Sequence, residues 1–114
     1  MPVQDHNPRH QNRMVISNQW EAYFTNLKAN YIGRNIRLER DADLQAGQPG
    51  EAAVLTRIGF VPQRKHPKLV VATKDKEYES EVNLVWSLED EDGRVLAVEV
   101  IDKKDHKLIV HFEG

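Results

Sequence analysis

The sequence predicts an α+β domain in which one N-terminal amphipathic helix packs on an antiparallel sheet of about five or six strands. Two observations lead to this fold class. Apolar residues recur at helical spacing near the start of the chain, and apolar and polar residues alternate over three runs near its end. The first pattern is typical of a helix with one buried face, and the second is typical of strands with one buried face. Helix and sheet each have an apolar face to cover, so we expect them to pack together.

The first thirteen residues are polar and contain two prolines. Burial of apolar surface cannot offset the entropy of ordering such a segment, so we expect a disordered tail over 1–13 and a single domain over 14–114.

A short apolar segment follows at 14–16 and has the composition of an edge strand. Asn18 and Glu21 then have the spacing of a capping box. A helix is predicted over 19–29 from an apolar stripe made by Trp20, Tyr23, Phe24 and Leu27.

The middle of the chain predicts strands separated by polar loops. Residues 34–40 and 52–60 each carry apolar side chains among polar ones, and 69–72 is a short apolar run. The glycine- and proline-containing segment 41–51 is predicted to be a loop. A further short strand is expected near Tyr78.

The last third of the chain predicts a three-stranded meander over 81–112. In each run we expect one set of alternating residues to be buried, namely Val82, Leu84, Trp86 and Leu88, then Leu96, Val98 and Val100, then Leu108, Val110 and Phe112. Trp86 is expected to contact Trp20 or Phe24 in the core. The acidic segment 89–93 ends in Asp-Gly, which favours a hairpin turn over a calcium loop, because its spacing does not match that of an EF-hand.

Composition excludes several classes of function. The chain has 114 residues, a formal net charge of −2 and no cysteine. Disulfides, thiolate nucleophiles and cysteine-ligated metals are therefore excluded from it, and no overall positive field recruits nucleic acid or anionic lipid. The start lacks the apolar core of a secretory signal, and no run has the length of a membrane span. We expect a cytoplasmic protein without a metal or a cofactor and without membrane contact.

The basic loop at 63–68 is the strongest candidate binding site. Its positive charge, together with that of a neighbouring strand, predicts an anion site made by Arg57, Arg64, Lys65 and Lys68. Aromatic residues that stack on bases are not interleaved with these cations, so nucleic acid is not the expected ligand.

Catalysis has two candidate centres, His66 and His111. A histidine acting as a general base needs a nucleophile or a paired acid within reach. The three serines show no nucleophile-elbow pattern, and phosphate-binding glycine motifs are absent from the sequence. No catalytic residue is therefore predicted.

The layout resembles a small bacterial family, that of the domain of unknown function 5335. Three segments carry the resemblance, Trp20-Glu21-Ala22-Tyr23-Phe24, the strand Leu55-Thr56-Arg57-Ile58-Gly59 leading to Leu69-Val70-Val71, and the meander over 82–112 with its Asp92-Gly93 turn. The resemblance spans most of residues 14–112 and implies the same fold. It implies no activity.

The expected function is a non-enzymatic interaction or regulatory module with a protein partner. Binding of nucleic acid or another anionic ligand through the basic loop is the alternative, and an enzyme centred on His66 or His111 is a third hypothesis. Nothing follows the last predicted strand that could cover it, so we also expect a homodimer through a sheet edge or the uncovered sheet face.

Overall fold

The protein is described by a computed structural model over residues 11–40 and 51–113. These residues contain one α-helix, α1 (Trp20–Tyr31), which follows a 3-10 turn at Ser17–Gln19. They also contain eight strands, namely β1 (Gln11–Met14), β2 (Asn35–Arg40), β3 (Glu51–Val61), β4 (Lys68–Thr73), β5 (Glu77–Glu81), β6 (Leu84–Glu89), β7 (Val95–Ile101) and β8 (Lys107–Phe112).

The strands form one antiparallel sheet in the order β1-β6-β7-β8-β2-β3-β4-β5. The sheet curls, so that β5 also approaches β7. The α+β class and the antiparallel sheet are confirmed, but the predicted number of five or six strands is wrong. Both edge strands have mostly polar sequences, QNRM in β1 and EYESE in β5, so apolar alternation marks them weakly.

The helix is not N-terminal, because β1 precedes it. Residues 11–13 belong to the predicted tail, yet they pair with residues 87–89 of β6. The apolar segment at 14–16 contributes only Met14 to that edge strand, and Val15 is buried in the core. The rest of the predicted tail, residues 1–10, lies outside the described residues. So does the predicted loop over 41–51, except for Glu51, which begins β3.

The helix begins one residue later and ends two residues later than the predicted 19–29. The capping box does not form, because Asn18 lies in the 3-10 turn and Gln19 occupies the N-cap position without a side-chain hydrogen bond. Gly33 follows the helix with φ of +91°, a left-handed conformation that glycine adopts at little cost.

The core lies between α1 and one face of the sheet, here called the inner face; the opposite face is the outer face. The predicted apolar stripe is buried at Trp20, Phe24 and Leu27, and Tyr23 packs against the core. The rings of Trp20 and Phe24 contact Phe60 of β3, with centroids 6.1 Å and 5.8 Å from it. The helix therefore packs most closely on β3, with these ring contacts near the end of that strand.

Strand β6 has the opposite phase to the prediction. Val85 and Ser87 are fully buried on the inner face. Leu84 and Trp86 alternate with them and so lie on the outer face. The predicted contact of Trp86 with Trp20 or Phe24 is therefore wrong.

The reason is a break in the alternation between β5 and β6. Val82 is buried at 3% exposure, and its N–H donates to Pro67 C=O, whereas the N–H of Asn83 donates to Ile101 C=O. These two neighbours thus bond to different parts of the fold, and the alternation restarts one residue out of step. The run over 81–88 is two strands, not one.

In the other meander strands Val98, Val100, Leu108 and Val110 are buried on the inner face, as predicted. Leu96 is not: it is partly exposed and its neighbour Val95 is buried instead, at the point where the β6–β7 register shifts. The acidic turn is confirmed as a hairpin, in which Gly93 has φ of +82° and Asp90 Oδ1 accepts from the N–H of Asp92.

The premise that β8 is an uncovered edge is wrong. This strand lies between β7 and β2 in the middle of the sheet.

Candidate functional site: the outer face of the sheet

A row of side chains crosses the outer face over five strands. The cross-strand pairs of β1, β6, β7, β8 and β2 align Met14, Trp86, Glu99, Ile109 and Glu39. Paired residues in antiparallel strands point to the same face, so these five side chains lie side by side. None of them belongs to the buried core.

The β1–β6 end of this row is apolar and open to solvent. Met14 is 45% exposed and Leu84 is 37% exposed, while Trp86 is partly exposed. Ile16 is 52% exposed and follows Val15, which pairs with Val85 through a backbone hydrogen bond of 2.9 Å. We call the group formed by Met14, Ile16, Leu84 and Trp86 the apolar patch. Apolar groups gathered in this way are typical of interaction surfaces.

The β8–β2 end of the row is charged. Nε2 of His111 lies 2.6 Å from Oε1 of Glu39, and a guanidinium nitrogen of Arg37 lies 3.1 Å from Oε2 of Glu113. His111 and Arg37 are direct cross-strand partners, so the two ion pairs are adjacent. The four side chains line an open depression of about 330 Å³.

This depression has the parts of an acid–base site but no nucleophile of its own. The pairing of His111 with Glu39 is the arrangement that orients a general base. None of the four lining residues is a serine or a threonine, and the chain has no cysteine. Among the described residues, no group of three or more histidine or acidic side chains has a geometry that could hold a metal ion.

The predicted anion site is not assembled as a cluster. Arg57 lies 3.6 Å from Glu77, and Lys68 lies 3.9 Å from Glu79, so both cations face carboxylates of β5. Arg57 and the residue paired with Lys68 are four positions apart on β3, which separates the two cations by about 13 Å along the strand. The charges of Arg57 and Lys68 are thus balanced by carboxylates of an acidic edge strand.

The remaining members of that site, Arg64 and Lys65, are exposed in the loop between β3 and β4. Neither forms an ion pair with a described residue. His66, the second histidine considered for catalysis, lies 3.6 Å from Glu81 and is exposed. The ion pairs of Arg57, His66 and Lys68 with β5 glutamates depend on the register of neighbouring strands. The composition of a loop does not predict that register.

A polar network that the sequence did not indicate lies at the β1–β6 edge, on the inner face. Tyr23 Oη donates to Ser87 Oγ at 2.7 Å, and Ser87 Oγ donates to Glu89 Oε2 at 2.8 Å. Arg13 of β1 bonds the same carboxylate oxygen at 2.8 Å through its terminal nitrogen. The network satisfies the fully buried Ser87 and connects α1, β6 and β1.

Burial and hydrogen bonding raise the pKa values of two groups in this network, Tyr23 and Arg13. Burial raises the pKa of Tyr23 to about 12, although the hydrogen bond to Ser87 acts to lower it. The hydrogen bond to Glu89 raises the pKa of Arg13 above its ordinary value. Tyr23 and Arg13 therefore keep their protons near neutral pH, which fits a structural role for the network.

Comparison with protein-family models, with curated proteins and with solved structures finds no match. The resemblance to the bacterial family of domain of unknown function 5335 stays a prediction. The one helix in the described part of the chain lacks the length and the apolar character of a membrane span.

Proposed function

We propose that the protein is a non-enzymatic interaction module that binds a protein partner on the outer face of its sheet. The apolar patch carries the proposal, because it holds a tryptophan and a methionine at the surface instead of in the core. Tryptophan and methionine are enriched at protein interfaces, and tryptophan is a frequent hot spot of binding energy.

The charges around the apolar patch indicate what kind of partner surface would fit it. Charged pairs border the patch, with Lys107 Nζ 3.7 Å from Glu99 on the adjacent strands and the Glu39–His111 pair beyond them. Both signs of charge are present. A partner with an apolar centre and a rim of mixed charge fits this surface better than a uniformly charged polymer does.

Leu84→Asp tests the proposal, because it places a charge in the patch at a position that is already 37% exposed. Val61→Asp is the matched control: it changes a strand residue that is 39% exposed and separated from the patch by several strands. Wild type, variant and control are each used as bait in extracts of the source cells. We expect at least one protein to be retained by wild type and by Val61→Asp and lost by Leu84→Asp.

Equal retention of every captured protein by all three baits would contradict the proposal. Thermal melting of the three proteins shows whether they are folded. Partial loss with Trp86→Ala, which removes the ring without adding charge, would strengthen the assignment to the patch.

Anion binding through the basic loop is the alternative function. It rests on Arg64 and Lys65, because β5 carboxylates face Arg57 and Lys68. A gel shift with single-stranded nucleic acid that weakens steeply as salt rises, and disappears in an Arg64→Ala/Lys65→Ala variant, would support it.

A third candidate function is acid–base catalysis at His111, and its short contact with Glu39 is the observation in favour. Hydrolysis of p-nitrophenyl acetate and p-nitrophenyl phosphate tests it. We expect His111→Gln to abolish any activity, and His106→Gln to retain it, since His106 is an exposed turn residue. Equal rates in both variants would exclude His111 as the base.

A further inference from the structure

The two edges of the sheet differ in their ability to pair with another strand. Among the described residues, 11–40 and 51–113, the strand β1 is bonded only to β6 at one edge, and β5 is bonded only to β4 at the other. An edge strand offers unpaired N–H and C=O groups to a further strand. We propose that β1 pairs antiparallel with β1 of a second copy of this chain, which makes a two-fold homodimer with a continuous sheet. This dimer does not depend on the outer face binding another protein.

Backbone geometry identifies the groups available for pairing. The N–H of Val15 donates to Val85 C=O at 2.9 Å, and the ladder continues through the pair of Arg13 with Ser87. In an antiparallel strand, alternate residues bond to the same neighbour. The N–H and C=O groups of Asn12 and Met14 therefore point away from β6, towards the free edge.

The register of the proposed dimer follows from symmetry and charge. Directly opposed residues share a face, so a two-fold axis perpendicular to the sheet passes beside Asn12, Arg13 or Met14. An axis at Met14 places Asn12 opposite Ile16, whose C=O already accepts from the N–H of Gln19 at 2.9 Å. An axis at Arg13 places two guanidinium groups opposite each other, which is unfavourable. An axis at Asn12 places Gln11 opposite Arg13 of the second copy. It also lets each Asn12 N–H donate to the Asn12 C=O of the other copy.

The same reasoning excludes β5 as the dimer edge. Glu77, Glu79 and Glu81 alternate along this strand and share one face. Every symmetric register that keeps the faces together places glutamate opposite glutamate, and like charges in directly opposed positions destabilise a sheet. The β5 carboxylates face Arg57, His66 and Lys68 only through exposed contacts of 3.6–3.9 Å, which offset this repulsion weakly. The one cation of β1, Arg13, is paired with Glu89 at 2.8 Å.

Exposed apolar surface adds to the case for β1. Met14 is 45% exposed and lies on the same face as Asn12. A strand added beside β1 would cover part of this side chain. Pairing at β5 would cover no comparable apolar group of that strand.

Light scattering over a range of protein concentrations tests the dimer. We expect the mass to rise from 13.2 kDa towards twice that value with concentration. Asn12→Pro removes the outward N–H without removing a bond to β6, and should weaken association by more than about tenfold. Asn12→Ala keeps the N–H and should associate like the wild type. A mass of 13.2 kDa at all concentrations, or a dimer that tolerates Asn12→Pro, would overturn the proposal.

A cysteine scan gives a second readout that does not rely on proline. The chain has no cysteine, so each introduced thiol is alone. Hydrogen-bonded antiparallel partners lie about 5.5 Å apart at Cα, within the range that a disulfide spans. Under mild oxidation, Asn12→Cys should give a covalent dimer rapidly, and Glu79→Cys on β5 should not. Faster cross-linking at position 79 than at position 12 would place the interface at the wrong edge and overturn the proposal.

Discussion

Tyr23 and Ser87 are joined by a hydrogen bond of 2.7 Å between residues 64 positions apart in the chain. The phenol donates to a serine hydroxyl that is fully buried, and the serine donates in turn to Glu89. The buried serine is thus satisfied, and the helix is fixed to β6 by a specific contact in addition to apolar packing.

Tyr23→Phe should destabilise the protein by about 1 kcal/mol, because it removes one hydrogen bond and keeps the ring. Ser87→Ala should cost about 1–3 kcal/mol, since it leaves the buried Tyr23 hydroxyl without its partner. Urea unfolding followed by circular dichroism measures both. The double variant should cost less than the sum of the two. A strictly additive result would show that the two hydroxyls do not stabilise each other.

Stability should fall with rising pH between pH 10 and about 12 in a manner that depends on Tyr23. Burial raises the pKa of this phenol from 10.0 to about 12, so the folded state holds the proton more tightly than the unfolded chain does. The contribution is complete below pH 10 and is lost as pH rises through the folded pKa. Urea midpoints of wild type and Tyr23→Phe should converge over this range. A constant difference would contradict the assignment.

The two tryptophans should differ strongly in their contribution to stability. Trp20 is 9% exposed and donates from its indole nitrogen to Val15 C=O at 2.8 Å, so Trp20→Ala should cost about 3–5 kcal/mol. Trp86 is partly exposed on the outer face, and Trp86→Ala should cost less than about 2 kcal/mol. Iodide should quench the fluorescence of a Trp20→Phe variant more than that of a Trp86→Phe variant. Equal quenching would place both rings in similar surroundings.

Adjacent residues of β6 should respond in opposite ways to the same substitution. Val85→Asp buries a carboxylate among apolar neighbours at a position with 0% exposure, and we expect it to prevent folding. Leu84→Asp changes a residue that is 37% exposed and should shift stability by less than about 1 kcal/mol. Soluble yield and melting temperature distinguish the two. The reverse order would restore the phase predicted from the sequence.

Local patterns predicted the elements well and their assembly less well. The helix, β2, β3 and the Asp92-Gly93 turn follow from spacing and glycine chemistry within short windows. The phase of β6 depends on the bonds of Val82 and Asn83 to distant backbone, which no local window contains. As a result, Leu84 and Trp86, which the alternation predicts to be buried, lie on the outer face.

The candidate site shows the same limit. Lysine and arginine in a loop suggest an anion site, but the glutamates that neutralise Arg57 and Lys68 come from β5 through the strand register. The alternation of Leu108, Val110 and Phe112 predicts that His111 lies on the less buried face. Its pairing with Glu39 depends on β2 lying beside β8, which the sequence did not predict.

The central position of β8 has a consequence for synthesis of the protein. Among the described strands, one half of the sheet, β1-β6-β7, and the other, β2-β3-β4-β5, are hydrogen-bonded to each other only through this strand. A nascent chain on the ribosome therefore cannot complete its sheet until Lys107–Phe112 has emerged. Until then, the backbone N–H and C=O groups of β7 and β2 that pair with this strand stay unpaired. Insertion of a strand between distant partners is a slow kind of folding step. Newly made chains should accordingly depend on chaperones during this interval more than a protein built from sequential hairpins does.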